Sequence, residues 1–148
     1  MIAVAIASSD AAADLARLHA SSFDKPWSVE SFRSLLTQPG TLAVIARDQD
    51  PLGCGVFRVA ADEVEILTLA VLPDARRRGV ARAIVQLAFS AAHQRGAVRC
   101  FLEVADDNQA AIELYLSLGF APCGRRAGYY DRGAERVDAV LYERMIVP

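Results

Sequence analysis

A turn with three consecutive arginines and a glycine joins a predicted strand to a predicted helix, and it constrains the fold more than any other segment. Residues 71–81 read Val-Leu-Pro-Asp-Ala-Arg-Arg-Arg-Gly-Val-Ala. The first backbone N–H groups of a helix have no intrahelical acceptor and carry a partial positive charge, so they favour an anion. We therefore predict that this turn binds an anionic group such as a pyrophosphate.

The length and composition are typical of one globular domain, predicted over residues 1–148. Apolar residues make up 53% of the chain and charged residues 23%, which favours a packed core over disorder. The net charge of −2 gives no reason to expect a nucleic-acid or membrane partner. No apolar run approaches the roughly 20 residues that a membrane helix needs, so we expect a soluble cytoplasmic protein.

The residue types that bind metals do not form a metal-binding pattern. His19 and His93 fall on predicted helices without partners at metal-ligand spacing, so we expect no metal site. The cysteines are odd in number, widely spaced and free of any CxxC motif, which favours reduced thiols in a cytosolic protein. These cysteines are Cys54, Cys100 and Cys123.

The N-terminal half predicts a strand, two helices and an antiparallel meander. Alternating apolar residues predict a strand within residues 1–7, and Asp10 is the predicted cap of a helix that ends near Phe23. Ser28 is the predicted cap of a second helix, with Phe32 on its buried side and a Pro-Gly pair after its end. Three strands separated by polar turns follow: Leu42–Arg47, Gly53–Ala60 and Glu63–Val71.

The C-terminal half alternates helices with strands and contains no internal repeat. Glycines after the last apolar position predict two helix ends, at Gly96 and Gly119. The predicted helices are Gly79–Arg95 and Asn108–Leu118, and the predicted strands are Val98–Val104, Phe120–Arg126 and Val137–Val147. The last two strands flank a predicted loop that contains Gly128, Tyr129, Tyr130, Asp131 and Gly133.

Residues 76–81 fit the pattern Gln/Arg-x-x-Gly-x-Gly/Ala, whose small residues let the backbone approach a pyrophosphate closely. Taken alone, the hexapeptide is equally consistent with a solvated basic turn that opens an amphipathic helix. Neither the GxGxxG motif of dinucleotide-binding folds nor the GxxxxGK motif of a P-loop occurs in the chain. These two common types of phosphate-binding fold are therefore not expected.

A second segment, Leu102–Phe120, combines Leu-Glu-Val, an Asp-Asp-Asn turn and a helix that ends in Leu-Gly-Phe. With the arginine turn and the separation between the two segments, it resembles the GNAT superfamily of N-acetyltransferases over nearly the whole chain. Phe23–Ser28 and the pair Tyr129-Tyr130 before Asp138 narrow the resemblance to RimI-type enzymes. Enzymes of that type acetylate the N-terminal alanine of a small-subunit ribosomal protein.

The resemblance implies a mixed α/β fold of the α+β type: a central, mostly antiparallel twisted sheet, splayed at the coenzyme A site and flanked by helices. It implies acetyl-CoA as the co-substrate and no metal. The free edge of the strand before the turn would pair with the pantetheine arm, and the turn would wrap the pyrophosphate. The implied cofactor-binding residues are Leu69, Ala70, Val71, Arg76, Arg77, Arg78, Gly79, Val80, Ala81, Arg82 and Asn108.

Two residues are the candidates for catalysis. Glu103 lies in an otherwise apolar strand, where a carboxylate is costly unless it is paired, solvated or functional. A strand-edge glutamate that faces water is the simpler interpretation, whereas the resemblance implies a general base. Tyr115 could equally be a core residue of its helix, whereas the resemblance implies a hydroxyl that protonates the leaving thiolate. Asn108 could cap this helix, bond the cofactor, or do both.

The acceptor is predicted to be a protein N-terminal amine, with a ribosomal protein as the implied partner and direct attack in a ternary complex as the implied mechanism. An α-amine has an unperturbed pKa of about 7.7–8.0, against about 10.4 for lysine, so a carboxylate base suits an N-terminus. A lysine side chain or a small-molecule amine is the alternative acceptor. A non-catalytic acetyl-CoA-binding domain is an alternative of a different class.

Four aromatic residues are candidates for the groove that binds the acceptor peptide: Phe23, Trp27, Tyr129 and Tyr130. Trp27 could equally be buried in the core. The tyrosine pair and Trp27 weakly favour a peptide over a small amine.

The chain departs from the RimI-type pattern in two places. Ala105 and Asp107 stand where such chains usually read Arg and Ser, and Ala127-Gly128 stands for the more usual Arg-Asn. Asp107 can still cap a helix, but the missing arginine at position 105 is expected to remove a positive charge near Glu103. These residues therefore predict acetyl transfer more strongly than they predict a particular peptide selectivity.

Overall fold

Seven strands and four α-helices form the fold in the computed structural model, which describes residues 1–146. The strands are β1 (Ala3–Ala7), β2 (Thr41–Arg47), β3 (Pro51–Ala60), β4 (Glu63–Val71), β5 (Arg99–Ala105), β6 (Ala121–Arg132) and β7 (Glu135–Met145). The helices are α1 (Ala12–Ala20), α2 (Val29–Leu36), α3 (Val80–Gln94) and α4 (Gln109–Ser117). The strands make one sheet in the order β1-β2-β3-β4-β5-β7-β6.

The sheet separates two layers of helices because its side chains alternate between its faces. Leu42 and Val44 on β2 join a large apolar cluster that contains the buried side of α3 and, from α4, Tyr115. Ala43 and Ile45 point the other way and pack with residues of α1 and α2. We call these faces the α3 face and the α1 face.

A gap opens between β4 and β5 in the middle of the sheet. These two strands are parallel and pair over only three residues each, Glu63–Glu65 with Arg99–Phe101. All other neighbouring strands in the sheet pair antiparallel. Beyond Glu65, β4 continues to Val71 with no ladder to β5, so its backbone edge on that side is free for an extended ligand. This confirms the predicted sheet, which is mostly antiparallel and splayed.

The structure corrects the predicted first helix at both ends. Asp10 does not cap it, because residues 9–11 form a short 3-10 turn and the position before α1 has no side-chain cap. The helix ends at Ala20 instead of near Phe23, whose N–H already closes a turn on the carbonyl of His19. The second helix is confirmed, since the Ser28 side chain accepts a hydrogen bond from the N–H of Ser31.

The predicted loop before the last strand is wrong. Residues 128–131 belong to β6, and Gly133 alone among the named loop residues lies at the tip of the β6–β7 hairpin. The loop signal came from Gly128, which has a φ of +59° in a bulge where three residues of β6 oppose Asp138 alone. Val147, the predicted end of the last strand, lies outside the described residues.

The other predicted elements are confirmed, with ends that agree or differ by one or two residues. They include the antiparallel meander, the helix that ends before Gly96 and the helix that ends before Gly119. Within residues 1–146, no helix is long and apolar enough to cross a membrane.

Candidate active site

The arginine turn presents a row of backbone donors. The N–H groups of residues 77–82 make no hydrogen bond to any described residue, and the first bond of α3 runs from the N–H of Ala83 to the carbonyl of Gly79. Arg77 and Gly79 both have left-handed backbone conformations, with φ of 63° and 79°. When left-handed residues alternate with residues of ordinary backbone conformation, successive N–H groups turn towards one side and form an anion-binding concavity.

The left-handed conformation of Arg77 is a local departure from ordinary backbone geometry. Residues other than glycine rarely adopt a positive φ, and such strain occurs frequently at ligand-binding sites. At Gly79 the space in front of the backbone is open, because an added Cβ would meet no atom within 4 Å. The turn can therefore receive a phosphate group directly against its main chain.

Four arginine side chains lie around the turn, and three of them have a partner in the protein. Arg76 Nε donates to the carbonyl of Val71 at 3.2 Å, and Arg78 Nη2 lies 3.8 Å from a carboxylate oxygen of Asp48. Arg82 Nη2 donates to the carbonyl of Ser117 at 3.1 Å. Arg77 has neither an ion pair nor a side-chain hydrogen bond within residues 1–146, so its guanidinium is the most available to an incoming anion.

The predicted pantetheine-binding residues lie on β4 beyond its last pair with β5. The side chains of Leu69 and Ala70 are buried, and that of Val71 is half-buried. All three pair with β3 on one edge, which leaves the edge towards β5 without a strand partner. Their backbone is thus exposed at the gap, while their side chains hold β4 in the core.

Glu103 is neither a core residue nor a freely solvated edge residue. Its side chain is 20% exposed, and Oε1 lies 3.2 Å from Arg126 Nη2. Position 105 holds alanine and supplies no charge, but β6 supplies a positive charge to Glu103 from a different strand. Sequence reasoning missed Arg126, since a bulged hairpin brings it close and no spacing along the chain predicts this contact.

Tyr115 is held by aromatic packing on the α3 face. Its ring is 8% exposed and meets the Phe120 ring edge to face, with centroids 5.8 Å apart. Burial raises the pKa of the Tyr115 phenol, and the nearby Cys100 thiol adds to that effect. The hydroxyl therefore stays protonated at neutral pH, and it makes no hydrogen bond to another described residue.

Glu103 and Tyr115 lie on opposite sides of the sheet. The neighbours of Glu103 on β5, Leu102 and Val104, join the same apolar cluster as Tyr115, so Glu103 points to the α1 face. Glu103 lies on β5, which borders the gap, and Tyr115 lies on the other face near Cys100 of the same strand. An acyl group lying in that gap could be approached by a base from the α1 face and by an acid from the α3 face.

The tyrosine pair, Tyr129 and Tyr130 on β6, lies beside Glu103 of β5. The two rings meet edge to face with centroids 5.1 Å apart, and the guanidinium of Arg126 lies 5.3 Å from the centre of the Tyr129 ring. Burial and the negative charge of Glu103 raise the pKa of Tyr130. The pair and the ion pair therefore form one cluster, consistent with an acceptor groove.

Two charged side chains of β7 hold the bulge that positions this cluster. Asp138 Oδ1 accepts a hydrogen bond from the N–H of Gly128 at 2.8 Å, and Arg136 Nε donates to the carbonyl of Gly128 at 2.8 Å. The other oxygen of Asp138 accepts from Arg125, and these bonds hold the pKa of Asp138 below its usual range. Both the N–H and the carbonyl of Gly128 are therefore held by hydrogen bonds to β7.

Phe23 and Trp27 form a second aromatic group, which no ring pair among residues 1–146 links to the tyrosines. Both rings stack on a buried histidine, His19, with centroid distances of 4.1 Å for Phe23 and 4.8 Å for Trp27. His19 Nδ1 accepts from the N–H of Trp27, and burial lowers the pKa of His19. Trp27 is 37% exposed, so it is not a buried core residue.

Asn108 caps α4, as one of its two predicted roles requires. Its side-chain oxygen accepts a hydrogen bond from the N–H of Ala111 at 3.2 Å. The side-chain NH₂ group makes no hydrogen bond to a described residue and remains available as a donor to a ligand.

Comparisons with known proteins agree with this geometry. The acetyltransferase (GNAT) family model matches residues 12–120. The ribosomal protein bS18-alanine N-acetyltransferase of Escherichia coli (strain K12) is 34% identical over 125 residues, which cover 78% of each chain. The protein of that name from Salmonella typhimurium is 32% identical over 116 residues, again 78% of each chain. The crystal structure of the Escherichia coli ribosomal-protein-S18-alanine N-acetyltransferase superimposes with a TM-score of 0.86, at 27% identity, over 99% of this chain and 94% of that one.

Proposed function

The chain belongs to the acetyltransferase (GNAT) family, and from that premise we propose that it transfers the acetyl group of acetyl-CoA to the N-terminal α-amine of a protein. The names of its relatives favour the N-terminal alanine of a ribosomal protein as the acceptor, and hence a cytoplasmic site of action. The observation that supports the proposal is that Glu103 and Tyr115 lie on opposite faces of the sheet, with Glu103 on the strand β5 that borders the gap.

The arginine turn is the proposed site for the pyrophosphate of acetyl-CoA. Six consecutive N–H groups without protein partners offer hydrogen bonds to its oxygens, and the guanidinium of Arg77 adds a positive charge. The edge of Leu69, Ala70 and Val71 that has no strand partner would pair with the amides of the pantetheine arm, and the Val71 carbonyl would exchange its bond from Arg76 for one from the ligand. The free NH₂ group of Asn108 is a further donor to the cofactor.

The bound thioester supplies an activated acetyl carbon, and the side chains handle the protons. Glu103 accepts a proton from the acceptor ammonium, which frees the nitrogen lone pair for attack on the carbonyl carbon. A C–N bond forms and the C–S bond breaks. Tyr115 donates its hydroxyl hydrogen to the departing sulfur, and the second proton that the nitrogen loses restores the Tyr115 phenol through water. No step uses a covalent acetyl-enzyme: Cys54 and Cys100 are buried, where burial raises their thiol pKa values to about 12, and the exposed Cys123 has Glu143 and Arg99, not Glu103, as its charged neighbours.

The acceptor peptide would lie on the α1 face between the two aromatic groups. Tyr129 contacts Arg126, the ion-pair partner of Glu103, Tyr130 lies near the Glu103 charge, and Trp27 is partly exposed. Arg126 places a positive charge beside the base. This charge disfavours the protonated form of the incoming amine, which helps Glu103 to free its lone pair.

Two peptides test the acceptor. One begins with a free alanine and copies the N-terminus of a small-subunit ribosomal protein; the other has the same sequence with a blocked N-terminus and an added lysine. Each is incubated with the protein and acetyl-CoA, and its mass is followed with time. We expect a gain of one acetyl group on the first peptide.

The same measurement separates the alternatives. Acetylation of the blocked peptide alone would overturn the proposed substrate and favour a lysine acceptor. Binding of acetyl-CoA without transfer to either peptide or to small amines would favour a non-catalytic binding domain. The matched control is Glu103→Gln, which should bind acetyl-CoA normally and acetylate the free peptide slowly.

A further inference from the structure

Thr68 has a buried hydroxyl with no hydrogen-bond partner. The residue is 6% exposed, and its Oγ1 is one of two buried side-chain polar atoms without a partner in the part of the chain that the structure describes. Burying an unpaired hydroxyl destabilises a fold relative to an apolar group of the same shape. Valine has that shape and a high strand propensity, so packing alone does not explain a threonine here.

A bulge in β4 turns Thr68 towards the α1 face. Ile66 pairs with Phe57 and Thr68 pairs with Val56, so Leu67 is an extra residue without a partner on β3. Ile66 and Phe57 belong to the cluster on the α3 face, whereas Val56 belongs to the cluster on the α1 face. Without the extra residue, strict alternation would direct Thr68 to the α3 face.

The bulge brings Thr68 and Glu103 to the same face, one on each side of the gap. Glu65 pairs with Phe101 across the short parallel ladder, so residues 67 and 68 of β4 are about level with Glu103 on β5. Neighbouring strands lie roughly 4.8 Å apart where they pair, and β4 and β5 diverge from there. The unpaired hydroxyl and the carboxylate therefore lie on the same face, on the two sides of the opening in which the acyl group would lie.

We infer that Thr68 binds the acceptor amine. Its Oγ1 accepts a hydrogen bond from the attacking nitrogen, while Glu103 takes the proton from the opposite strand. Two acceptors at different angles fix the direction of the nitrogen lone pair towards the acyl carbon. The substrate amine thus supplies the hydrogen-bond partner that Thr68 Oγ1 lacks in the free protein. This inference rests on the proposed amine acetylation, but it holds for any amine acceptor.

The test uses Thr68→Val and Thr68→Ser, with Thr41→Val as the matched control. Thr41 has the other unpaired buried hydroxyl and lies at the start of β2, away from the gap. We measure kcat/KM for the acceptor, the Kd for acetyl-CoA and the melting temperature. The acceptor is the alanine-initiated peptide or, if the wild type prefers it, the best amine of a panel with lysine peptides and small amines.

Thr68→Val should lower kcat/KM by about tenfold or more, in the range expected for losing a hydrogen bond to a charged group. It should leave the acetyl-CoA Kd unchanged and keep or raise the melting temperature. Thr68→Ser should restore most of the activity, and Thr41→Val should keep full activity.

Full activity of Thr68→Val would overturn the inference, as would a weaker acetyl-CoA Kd that accounts for the whole loss. If the wild type acetylates only other amines, the proposed peptide acceptor is overturned. The Thr68 variants are then compared on those amines. A wild type that acetylates no amine overturns both proposals.

Discussion

Replacing Gly79 by alanine separates the backbone strain of the arginine turn from its role in binding. Gly79 has a φ of 79°, and an L-residue with a side chain in that region costs roughly 1–2 kcal/mol. An added Cβ meets no atom within 4 Å, so no packing clash is added to this cost. For a chain of this length, the melting temperature should fall by about 3–8 °C.

The effect on coenzyme A binding should be larger than the effect on stability. The Cβ would occupy the space through which a phosphate approaches the N–H groups of the turn. Loss of one hydrogen bond to a charged group costs about 1.5–3 kcal/mol, and 1.4 kcal/mol corresponds to a factor of ten in Kd. We therefore expect the Kd for coenzyme A to rise by about ten- to a hundredfold, measured by isothermal titration calorimetry.

Gly96→Ala is the matched control for this experiment. Gly96 follows the other end of α3 and has a φ of 98°, and a Cβ added there would also meet no atom within 4 Å. Its replacement should lower the melting temperature by a similar amount and leave the Kd for coenzyme A unchanged. If both variants bind coenzyme A alike, the phosphate does not lie against the backbone at Gly79, and the interpretation of the turn is refuted.

Four other variants test the remaining parts of the site. Tyr115→Phe should lower kcat by about a hundredfold, as expected for a lost general acid, with the acetyl-CoA Kd nearly unchanged; equal losses in both would contradict the acid role. Glu103→Gln should lower kcat at the same acetyl-CoA Kd, and full activity across the pH range would mean that the base lies elsewhere. Asp138→Ala should release the bulge and raise the KM for the peptide severalfold, without changing acetyl-CoA binding; an unchanged KM would contradict its positioning role. Burial lowers the pKa of His19, so below about pH 6.5 His19 is protonated in the unfolded chain but less so in the folded chain. The free energy of unfolding should therefore decrease as the pH falls through that value. His19→Asn should remove this dependence in thermal melts, and an identical pH dependence in both proteins would contradict it.

The order of elements was predictable because local patterns determine most of it. Apolar alternation indicated the strands of the meander, and glycines in left-handed conformations ended both α3 and α4, as at Gly96 and Gly119. The resemblance implied the splayed sheet, which β4 and β5 form with only three paired residues each. These features depend on neighbours in sequence or on a known fold.

Apart from the two ends of α1, the corrections concern contacts between strands. Gly128 predicted a loop, but Asp138 and Arg136 hold its backbone inside a strand pair. Arg126 reaches Glu103 because the hairpin packs beside β5, and no spacing along the sequence indicates that approach. Thr68 was equally hidden, since only the bulge at Leu67 turns it to the face of Glu103.

The most direct test of the central claim is the affinity of two conjugates that join coenzyme A to one acceptor peptide through an acetyl linker. In one, the linker is attached to the N-terminal alanine amine; in the other, to a lysine side chain of the same peptide with a blocked N-terminus. If the amine attacks directly while both substrates are bound, the first conjugate spans both parts of the site. We predict that it binds far more tightly than coenzyme A alone and more tightly than the lysine-linked conjugate. Tighter binding of the lysine-linked conjugate, or no gain over coenzyme A from either, would contradict the claim.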